Sequence, residues 1–275
     1  MKEYELIPVA DGVYRVRCLV PGGEHSLCDL IIGTEKAALI DTGNGYGNLP
    51  AFLRSVTDKP LVLFNTHNHI DHIAGNALFS EPFHMGQEDI DHCDYANEPF
   101  FRQQMLKGLQ QIPEGFDEAE YLARGVGQLV PCEEGEVFDL GGKTLQVLAT
   151  PGHSCGCRSY YLREEGIVYT GDVLGKCMLV FGYASGGRRA QKDSLRKLMS
   201  LPVSRIYASH ADEPYTMEDL QLFLKVTEEA DYAAGIPFPN PLRDGEDARI
   251  CCVAGMAPED EDKPGYAAIV LSSFS

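Results

Sequence analysis

Four side chains of the kind that bind metal ions lie close together in the segment NTHNHIDHIAGN, residues 65–76. They are His67, His69, Asp71 and His72. The chain has 8 His among 275 residues, so three of them beside an Asp in such a short window is a chance event on the order of 1 in 1,000. In an extended segment, His67 and His69 project to the same side, and a turn after them can direct Asp71 and His72 to a neighbouring position. Imidazole and carboxylate are suitable donors for Zn, Fe or Mn. The spacing therefore predicts a segment that supplies ligands to two metal ions.

Three other segments could supply the remaining ligands, since a catalytic ion needs at least three protein ligands and an open position for water. The apolar runs KTLQVLAT, GIVYTG and RIYAS lead to His153, Asp172 and His210 respectively. Taken singly, a His or Asp at a strand end is more often a turn or capping residue, by roughly three to one. Strand ends converge at one sheet edge in α/β active sites, however. Together with the segment 65–76, these three residues are predicted to complete the site.

The elements that must position these residues alternate along the chain. The runs YELIPVA, VYRVRCLV, SLCDLIIG and KAALIDT predict a β-meander, because turn signals separate them. Residues 46–56 have apolar side chains at helical spacing, and LVLFNT then predicts a buried strand. Residues 86–128 predict an inserted helical cap with exposed aromatic side chains, among them Tyr121. Further strands follow, with helices predicted over 193–200 and 216–230.

We expect one domain over residues 1–235, with the cap at 86–128 inserted in it, and a C-terminal extension with short strands over 236–275. Antiparallel strands open each half of the domain and helices close it. This order predicts an α/β fold in which two sheets pack face to face with helices outside.

Composition narrows the classes of function. The chain has 41 acidic and 23 basic residues and a formal charge of -18, which repels nucleic acid unless a basic stripe compensates, and the sequence has no such stripe. We find no secretion signal and no long apolar run, so we expect neither export nor a membrane association. The odd number of cysteines, 9, lacks a disulfide framework. A cytoplasmic protein acting on a small molecule fits these features best.

At this point the sequence resembles the metallo-β-lactamase superfamily, over about residues 10 to 230. The resemblance lies in the order of a leading Asp, THNHIDH, PGHS, GD and SH. It implies an αββα sandwich of two mixed β-sheets with outer helices. It also implies the role of each site residue: His67, His69 and His153 bind metal 1, Asp71, His72 and His210 bind metal 2, Asp172 bridges both metals, and Asp41 is a buried carboxylate that orients the ligand loop without binding a metal.

The resemblance further implies two divalent ions, with Zn²⁺ favoured over Fe or Mn, and a metal-bridging hydroxide that attacks a carbonyl carbon. Asp71 could pass the proton to the leaving group. Tyr183 falls where glyoxalase II-like members place a substrate-binding Tyr, and we weigh that role evenly against packing. Asp172 stands where true β-lactamases have Cys or Ser, which argues against β-lactamase activity. Phe181 stands where glyoxalase II has a glutathione-binding Lys.

The resulting hypothesis is a binuclear hydrolase of a small ester, lactone or thioester. One alternative is an iron-dependent oxidoreductase of the same fold, either persulfide dioxygenase-like or diiron. Others are a glyoxalase II-type hydroxyacylglutathione hydrolase and a metal-binding protein without catalysis. The strand-like tail over 249–271 could pair with a partner, as in a homodimer, or cover the site.

Several residues near the predicted site have a simpler interpretation. Cys155, Cys157 and Cys177 follow the predicted ligands closely, but CxC alone is a weak motif, so we favour packing over metal binding by roughly four to one. His84 and His92 are expected at surface or cap positions. The run GGRRAQK is expected to be a solvated turn.

Overall fold

A computed structural model describes residues 3–19, 26–113, 115–182, 184–239 and 247–273 of the chain. These residues form two compact units. The first comprises Met1–Leu148 and Tyr160–Glu165, and the second comprises Ala149–Ser159 and Gly166–Ser275. Across the described residues, none of the helices combines the length and the apolar character that crossing a membrane requires.

The first unit is built on a seven-stranded mixed sheet whose strands follow one another in chain order. Its strands are β1 (Tyr4–Ala10), β2 (Val13–Cys18), β3 (Cys28–Ile32), β4 (Ala37–Ile40), β5 (Leu61–Phe64), β6 (Phe83–Met85) and β7 (Leu129–Pro131). Strands β1 to β4 pair antiparallel, which confirms the predicted meander, and β4 to β7 pair in parallel. Strand β5 therefore leads directly into the histidine segment.

Helix α1 (Leu49–Val56) covers one face of this sheet and buries Leu49 and Leu53. It begins three residues later than the predicted start at residue 46. The Asn48 side chain accepts a hydrogen bond from the Ala51 backbone N at 3.1 Å, and this N-cap fixes the start of the helix. Tyr46, which the prediction placed in the helix, instead packs against the rings of Phe116 and Tyr121.

The cap predicted over 86–128 is helical. It contains α3 (Gln87–Ile90), a 3-10 turn (Cys93–Asn97), α4 (Pro99–Gly108) and α5 (Glu118–Ala123), whereas α2 (Ile70–Ile73) lies upstream of the cap. The expectation that Tyr121 is exposed is wrong, because its side chain is fully buried. Its hydroxyl donates to the Asn44 carbonyl at 3.0 Å, and Arg102 and Arg124 lie over its ring. The cap is thereby tied to the loop that follows β4.

The expectation that His84 lies at the surface or in the cap is wrong. It is in β6, half-buried, with its ring against Phe64 and Phe138. Burial lowers the pKa of this imidazole, so His84 is a neutral packing residue of the sheet. His92 precedes the 3-10 turn of the cap, as predicted.

The chain continues through β8 (Val137–Asp139), β9 (Thr144–Ala149) and β10 (Arg158–Leu162), and β8 pairs antiparallel with β9. In the second unit, β11 (Ile167–Tyr169) pairs in parallel with β13 (Arg205–Tyr207). A separate four-stranded sheet has the order β12 (Cys177–Val180), β16 (Ala268–Ser272), β15 (Ala248–Cys252) and β14 (Ile236–Pro237). The two predicted tail strands are thus present and pair with each other, and β16 also pairs with β12, a strand that the prediction missed. The domain boundary at 235/236 stays a prediction.

Two long helices complete the second unit, α6 (Gly187–Met199) and α7 (Met217–Glu229). Helix α7 begins with the capping box expected from Thr216. Helix α6 begins six residues before the predicted start, so the interpretation of GGRRAQK as a solvated turn is wrong. Arg188 in its first turn donates to the carbonyl oxygens of Thr227 and Glu228, both at 2.7 Å, and so satisfies the last carbonyls of α7. Mixed and parallel strands with helices confirm the α/β class.

Candidate metal centre

The histidine segment lies at the carboxyl end of β5 and continues into α2. His69 is the N-cap of α2, and Asp71 and His72 lie within the helix. The ring centroids of His67 and His69 are 4.6 Å apart, and those of His67 and His72 are 4.1 Å apart. His72 Nε2 lies 3.1 Å from Asp71 Oδ2. The structure therefore brings together the four donors that the local spacing predicted.

A chain of hydrogen bonds through Asp41 fixes two of these rings. His72 Nδ1 lies 2.9 Å from Asp41 Oδ2, and the Thr66 hydroxyl donates to the same oxygen at 2.8 Å. The Thr66 backbone N donates to Asp41 Oδ1 at 2.8 Å, and Thr66 Oγ1 lies 3.0 Å from His67 Nδ1. A carboxylate only accepts hydrogen bonds, so His72 carries its proton on Nδ1. The Thr66 hydroxyl proton points to Asp41, so Thr66 Oγ1 must accept from His67, and His67 also carries its proton on Nδ1. Both rings thus present an Nε2 lone pair, as a metal ligand must.

The backbone of Asp41 is also unusual. Its φ is +62°, and it is the only non-glycine residue of the described ranges with a positive φ. This left-handed conformation is costly for most residues, and Asp and Asn tolerate it best. The carboxylate is buried as well. Strained backbone of this kind persists where the surrounding structure requires one orientation, here the one that aims the carboxylate at His72.

Asp41→Asn is expected to lower the affinity for Zn²⁺ by about 10- to 100-fold, the usual cost of losing an outer partner of a ligand. Asn keeps the size and tolerates the backbone conformation, but its amide NH₂ would face a donor, either Thr66 or His72. Competition with a chromophoric chelator measures the change. Asp139→Asn is the matched control, because Asp139 accepts a backbone N–H in an exposed turn. Equal affinities for the two variants would contradict the role of Asp41.

The cap holds the residue between the first two histidines. The Asn68 backbone N donates to the buried Asp89 carboxylate at 3.1 Å, and the Asn68 amide donates to the Asp89 carbonyl at 3.1 Å. The Tyr95 hydroxyl donates to the Asn68 carbonyl at 2.8 Å. Burial raises the pKa of Tyr95, so this phenol stays protonated and remains a donor. Sequence reasoning missed both Asp89 and Tyr95, since no local motif marks them.

Tyr95→Phe is expected to reduce the free energy of unfolding by about 1 kcal/mol, because it removes one hydrogen bond and leaves the Asn68 carbonyl without its phenol donor. Urea denaturation measures the change. Tyr232→Phe is a matched control, since Tyr232 donates to the Asp247 carbonyl at 3.0 Å near the surface. A loss for Tyr95→Phe no larger than that for the control would show that the clamp on Asn68 is not stabilising.

The second unit brings together the other three predicted donors. His153 follows β9, Asp172 lies in a 3-10 turn after β11, and His210 follows β13. Because β11 and β13 are parallel neighbours, Asp172 and His210 emerge at the same edge. Asp172 Oδ2 lies 3.8 Å from His153 Nε2 and 3.3 Å from His210 Nε2. A single oxygen of Asp172, Oδ2, therefore lies near both imidazoles.

The ring of His153 is oriented by the backbone of β12. His153 Nδ1 lies 2.7 Å from the Leu179 carbonyl oxygen. A carbonyl only accepts, so the proton is on Nδ1 and the lone pair of Nε2 faces Asp172. The same arrangement holds for His72 and His67 in the first unit. Metal-binding imidazoles characteristically donate through one nitrogen and bind the ion through the other.

The donor geometry fits a divalent metal ion. Bonds of about 2.0–2.1 Å in a tetrahedral arrangement place two donors roughly 3.3 Å apart. The pairs His72–Asp71, His210–Asp172 and His153–Asp172 are separated by 3.1, 3.3 and 3.8 Å. Imidazole nitrogen and carboxylate oxygen are also the donor types that Zn, Fe and Mn accept. Each unit thus contributes donor pairs whose separations suit one ion.

The remaining predicted residues have mixed outcomes. Tyr183 lies outside the described residues. Cys157 is buried, and its Sγ accepts from the Ser154 backbone N at 3.3 Å, in accord with the packing interpretation. Cys155 donates its backbone N to the Ala184 carbonyl at 2.7 Å. Cys177 lies in β12 and packs on the apolar face of the four-stranded sheet. Burial raises the pKa of the Cys177 thiol to about 12, which disfavours the thiolate that a metal would require.

Comparison with known proteins agrees with this geometry. A hydroxyacylglutathione hydrolase from Synechococcus sp. (strain JA-2-3B'a(2-13)) is 30% identical over 203 residues, which cover 70% of this chain and 64% of that protein. An acyl-coenzyme A thioesterase, MBLAC2, from Bos taurus is 25% identical and is matched over 60% of this chain and 64% of its own length. The chain thus spans less than two thirds of either relative.

Among solved structures, the protein TTHA1623 in a di-iron-bound form is similar with a TM-score of 0.56 and 27% identity, covering 73% of this chain and 94% of that one. The sequence profile of the metallo-beta-lactamase superfamily matches residues 21–210. This match covers more than half of the chain and includes every predicted ligand. The chain belongs to the metallo-beta-lactamase superfamily.

Proposed function

We propose that this protein is a binuclear metal-dependent hydrolase that cleaves the acyl C–S or C–O bond of a small thioester, ester or lactone. The observation that carries the proposal is the hydrogen-bond chain from His67 through Thr66 and Asp41 to His72. It fixes the tautomer of two imidazoles at once. A histidine pair with only a structural role does not need a fixed tautomer, whereas a pair of metal ligands does. The two relatives described above, named as hydrolases of glutathione and coenzyme A thioesters, support the reaction class.

The two donor sets together would make one centre. His67, His69 and His153 would hold the first ion, and Asp71, His72 and His210 would hold the second. Asp172 would bridge them, and its position between His153 and His210 supports that role. When bound, the two ions supply a nucleophile by lowering the pKa of water and polarise the substrate carbonyl. Zn²⁺ is the ion that we propose, with Fe or Mn as alternatives.

The side chains have distinct tasks in this reaction. Asp41 holds His72 through its Nδ1 proton and so keeps the ligand loop in one orientation. Asp71, with an oxygen facing His72, would take a proton from the attacking water and deliver it to the leaving group. A thiolate or alkoxide would thereby leave in its protonated form.

The substrate that we propose is a small molecule. The charge of -18 disfavours nucleic acid. At the position where glyoxalase II has a lysine for glutathione, Phe181 packs against the ring of Phe238 at 6.0 Å between ring centroids. This apolar contact favours an acyl or lactone substrate over a glutathione conjugate. We also propose a cytoplasmic location, and a homodimer as an alternative to a monomer.

Elemental analysis of protein purified without added metal tests the proposal, followed by a substrate panel. We expect about two equivalents of zinc per chain and turnover of an acyl-coenzyme A thioester, S-lactoylglutathione or a lactone, but not of a phosphodiester or a cephalosporin. A zinc-loaded protein that turns over none of the three carbonyl substrates would contradict the proposal.

Iron-dependent redox chemistry is the second candidate, and the di-iron form of the similar protein favours it. The donor set of imidazoles and carboxylates accepts iron as readily as zinc. Iron in the purified protein, together with oxygen consumption in the presence of a persulfide, would support this candidate over hydrolysis.

A further inference from the structure

Helix α6 has a polar face that the apolar periodicity of its sequence does not reveal. Besides the buried Leu195 and Leu198, it presents Gln191, Ser194 and Lys197 at intervals of three residues. Side chains at this spacing lie on one side of a helix. Gln191 and Ser194 are buried and Lys197 is half-buried, so these polar groups are directed into the unit and not into solvent.

Each of the three side chains donates to a backbone carbonyl that lies in, or directly before, a loop that carries a predicted metal ligand. Lys197 Nζ donates to the Ala149 carbonyl and Ser194 Oγ to the Pro151 carbonyl, both at 2.7 Å. These carbonyls precede His153 by four and two residues. Gln191 Nε2 donates to the Val173 carbonyl at 2.7 Å, and Val173 follows Asp172 directly. One helix face thus holds two of the three segments of the second unit that carry predicted ligands, those of His153 and Asp172.

Gln191 is the residue that contacts both loops. Apart from its bond to Val173, it packs directly on Gly152, the residue before His153. A Cβ added at Gly152 would lie 2.9 Å from Gln191 Cα and would also clash with the Gln191 carboxamide. The glycine in Pro151-Gly152-His153 therefore permits a close approach of the ligand loop to α6.

Stability alone does not account for a glutamine at this position. The side chain is fully buried, and its Oε1 has no hydrogen-bond partner among the residues that the structure describes. A buried carbonyl without a donor costs about 1–3 kcal/mol, whereas an apolar side chain of similar size would avoid that cost. Polar groups retained under such conditions call for a role other than stability.

We infer that α6 sets the spacing between His153 and Asp172, with Gln191 as the positioning residue. His153 Nε2 and Asp172 Oδ2 lie 3.8 Å apart, and the Gln191 side chain donates to the loop of Asp172 and packs against the loop of His153. Metal affinity depends on this spacing, because a ligand pair held too far apart must move before both donors can bind one ion. The inference rests on the proposed function only in taking these two residues as ligands.

The test compares the Zn²⁺ affinity of the full-length protein and of Gln191→Met, measured by competition with a chromophoric chelator. We expect affinity to fall about 10-fold, because Met fills the space but cannot hold the Val173 carbonyl. The visible absorption spectrum of the Co²⁺-loaded variant should also shift, since a change in ligand spacing alters the geometry at the metal. A smaller decrease in affinity is expected for Ser194→Ala.

Arg188→Met is the matched control. Arg188 lies on the same helix, three residues before Gln191, but donates to the end of α7 and not to a ligand loop. We expect this variant to lose thermal stability and to keep its metal affinity and Co²⁺ spectrum. Ser194→Ala, a small change in the same face, covers the case in which Gln191→Met does not fold.

The outcomes separate this inference from the proposed function. If the parent protein binds Zn²⁺ and Gln191→Met or Ser194→Ala binds it with the same affinity and Co²⁺ spectrum, the positioning role is wrong while the proposed function stands. An equal loss of affinity in Arg188→Met would also overturn the positioning role, since general destabilisation of the protein would then explain both losses. A parent protein that binds no divalent metal would overturn the proposed function and this inference together.

Discussion

His69→Ala is expected to abolish turnover. His69 is one of the donors at the start of α2, and its ring lies beside His67. Removing a ligand deletes a metal–nitrogen bond, so the loss of activity should exceed the roughly 10- to 100-fold loss caused by removing an outer partner. The backbone role of His69, which accepts the His72 N–H at 3.0 Å, is unchanged by alanine. We therefore expect a folded protein with fewer than two metal equivalents and no measurable hydrolysis.

His92→Ala is the control for this experiment, because His92 is half-buried in the cap and outside the ligand pattern. Its metal content and activity should match those of the parent. Circular dichroism shows whether both variants fold. Full metal content and turnover in His69→Ala would exclude His69 from the centre, and with it the predicted role of the THNHIDH segment.

Asp71→Asn has the second-largest expected effect, a decrease in turnover of about 100- to 10,000-fold, which is the usual contribution of a proton-transfer group. The amide oxygen of Asn can still bind a metal ion, but Asn cannot accept and return a proton at neutral pH. We therefore expect the metal content to persist while turnover falls. The measurement pairs elemental analysis with steady-state kinetics on a thioester and on an ester with a better leaving group.

The leaving group supplies the decisive comparison. If Asp71 protonates the departing thiolate or alkoxide, a substrate whose leaving group needs no proton should be less affected by Asp71→Asn. Asp91→Asn is the control, since Asp91 is an exposed carboxylate that accepts from the Gln87 amide. An Asp71→Asn variant with both metals and full turnover would show that the shuttle role is wrong.

The sequence placed the candidate ligands of the first unit together because their spacing is local. His67, His69, Asp71 and His72 lie in one short segment after β5, so neighbouring residues alone determine their arrangement. His153, Asp172 and His210 come from separate strand ends, and only the order of motifs in the superfamily related them to the others. The α/β class followed from alternating strands and helices, whose periodicities are visible in short windows.

The supporting contacts were not predictable in the same way. Asp89 and Tyr95 reach Asn68 from 21 and 27 residues away, and no periodicity relates such positions. Arg15 and Asp29 form a buried ion pair at 3.1 Å across β2 and β3, although both residues have a strong preference for the surface. The start of α6 was missed because Gly187 and the two arginines after it resemble a turn. Their helical conformation makes sense only once the carbonyl acceptors at the end of α7 are known.

The pairing of β12 with β16 has a consequence for the order in which the protein is made. Residues 177–180 have residues 268–271 as their sheet neighbours, a separation of about ninety positions along the chain. Contacts between such distant segments form slowly, and during synthesis they must wait until both segments have left the ribosome. Since the Leu179 carbonyl in β12 orients His153, the metal uptake proposed for this histidine is expected to be a late event, after translation has passed residue 272.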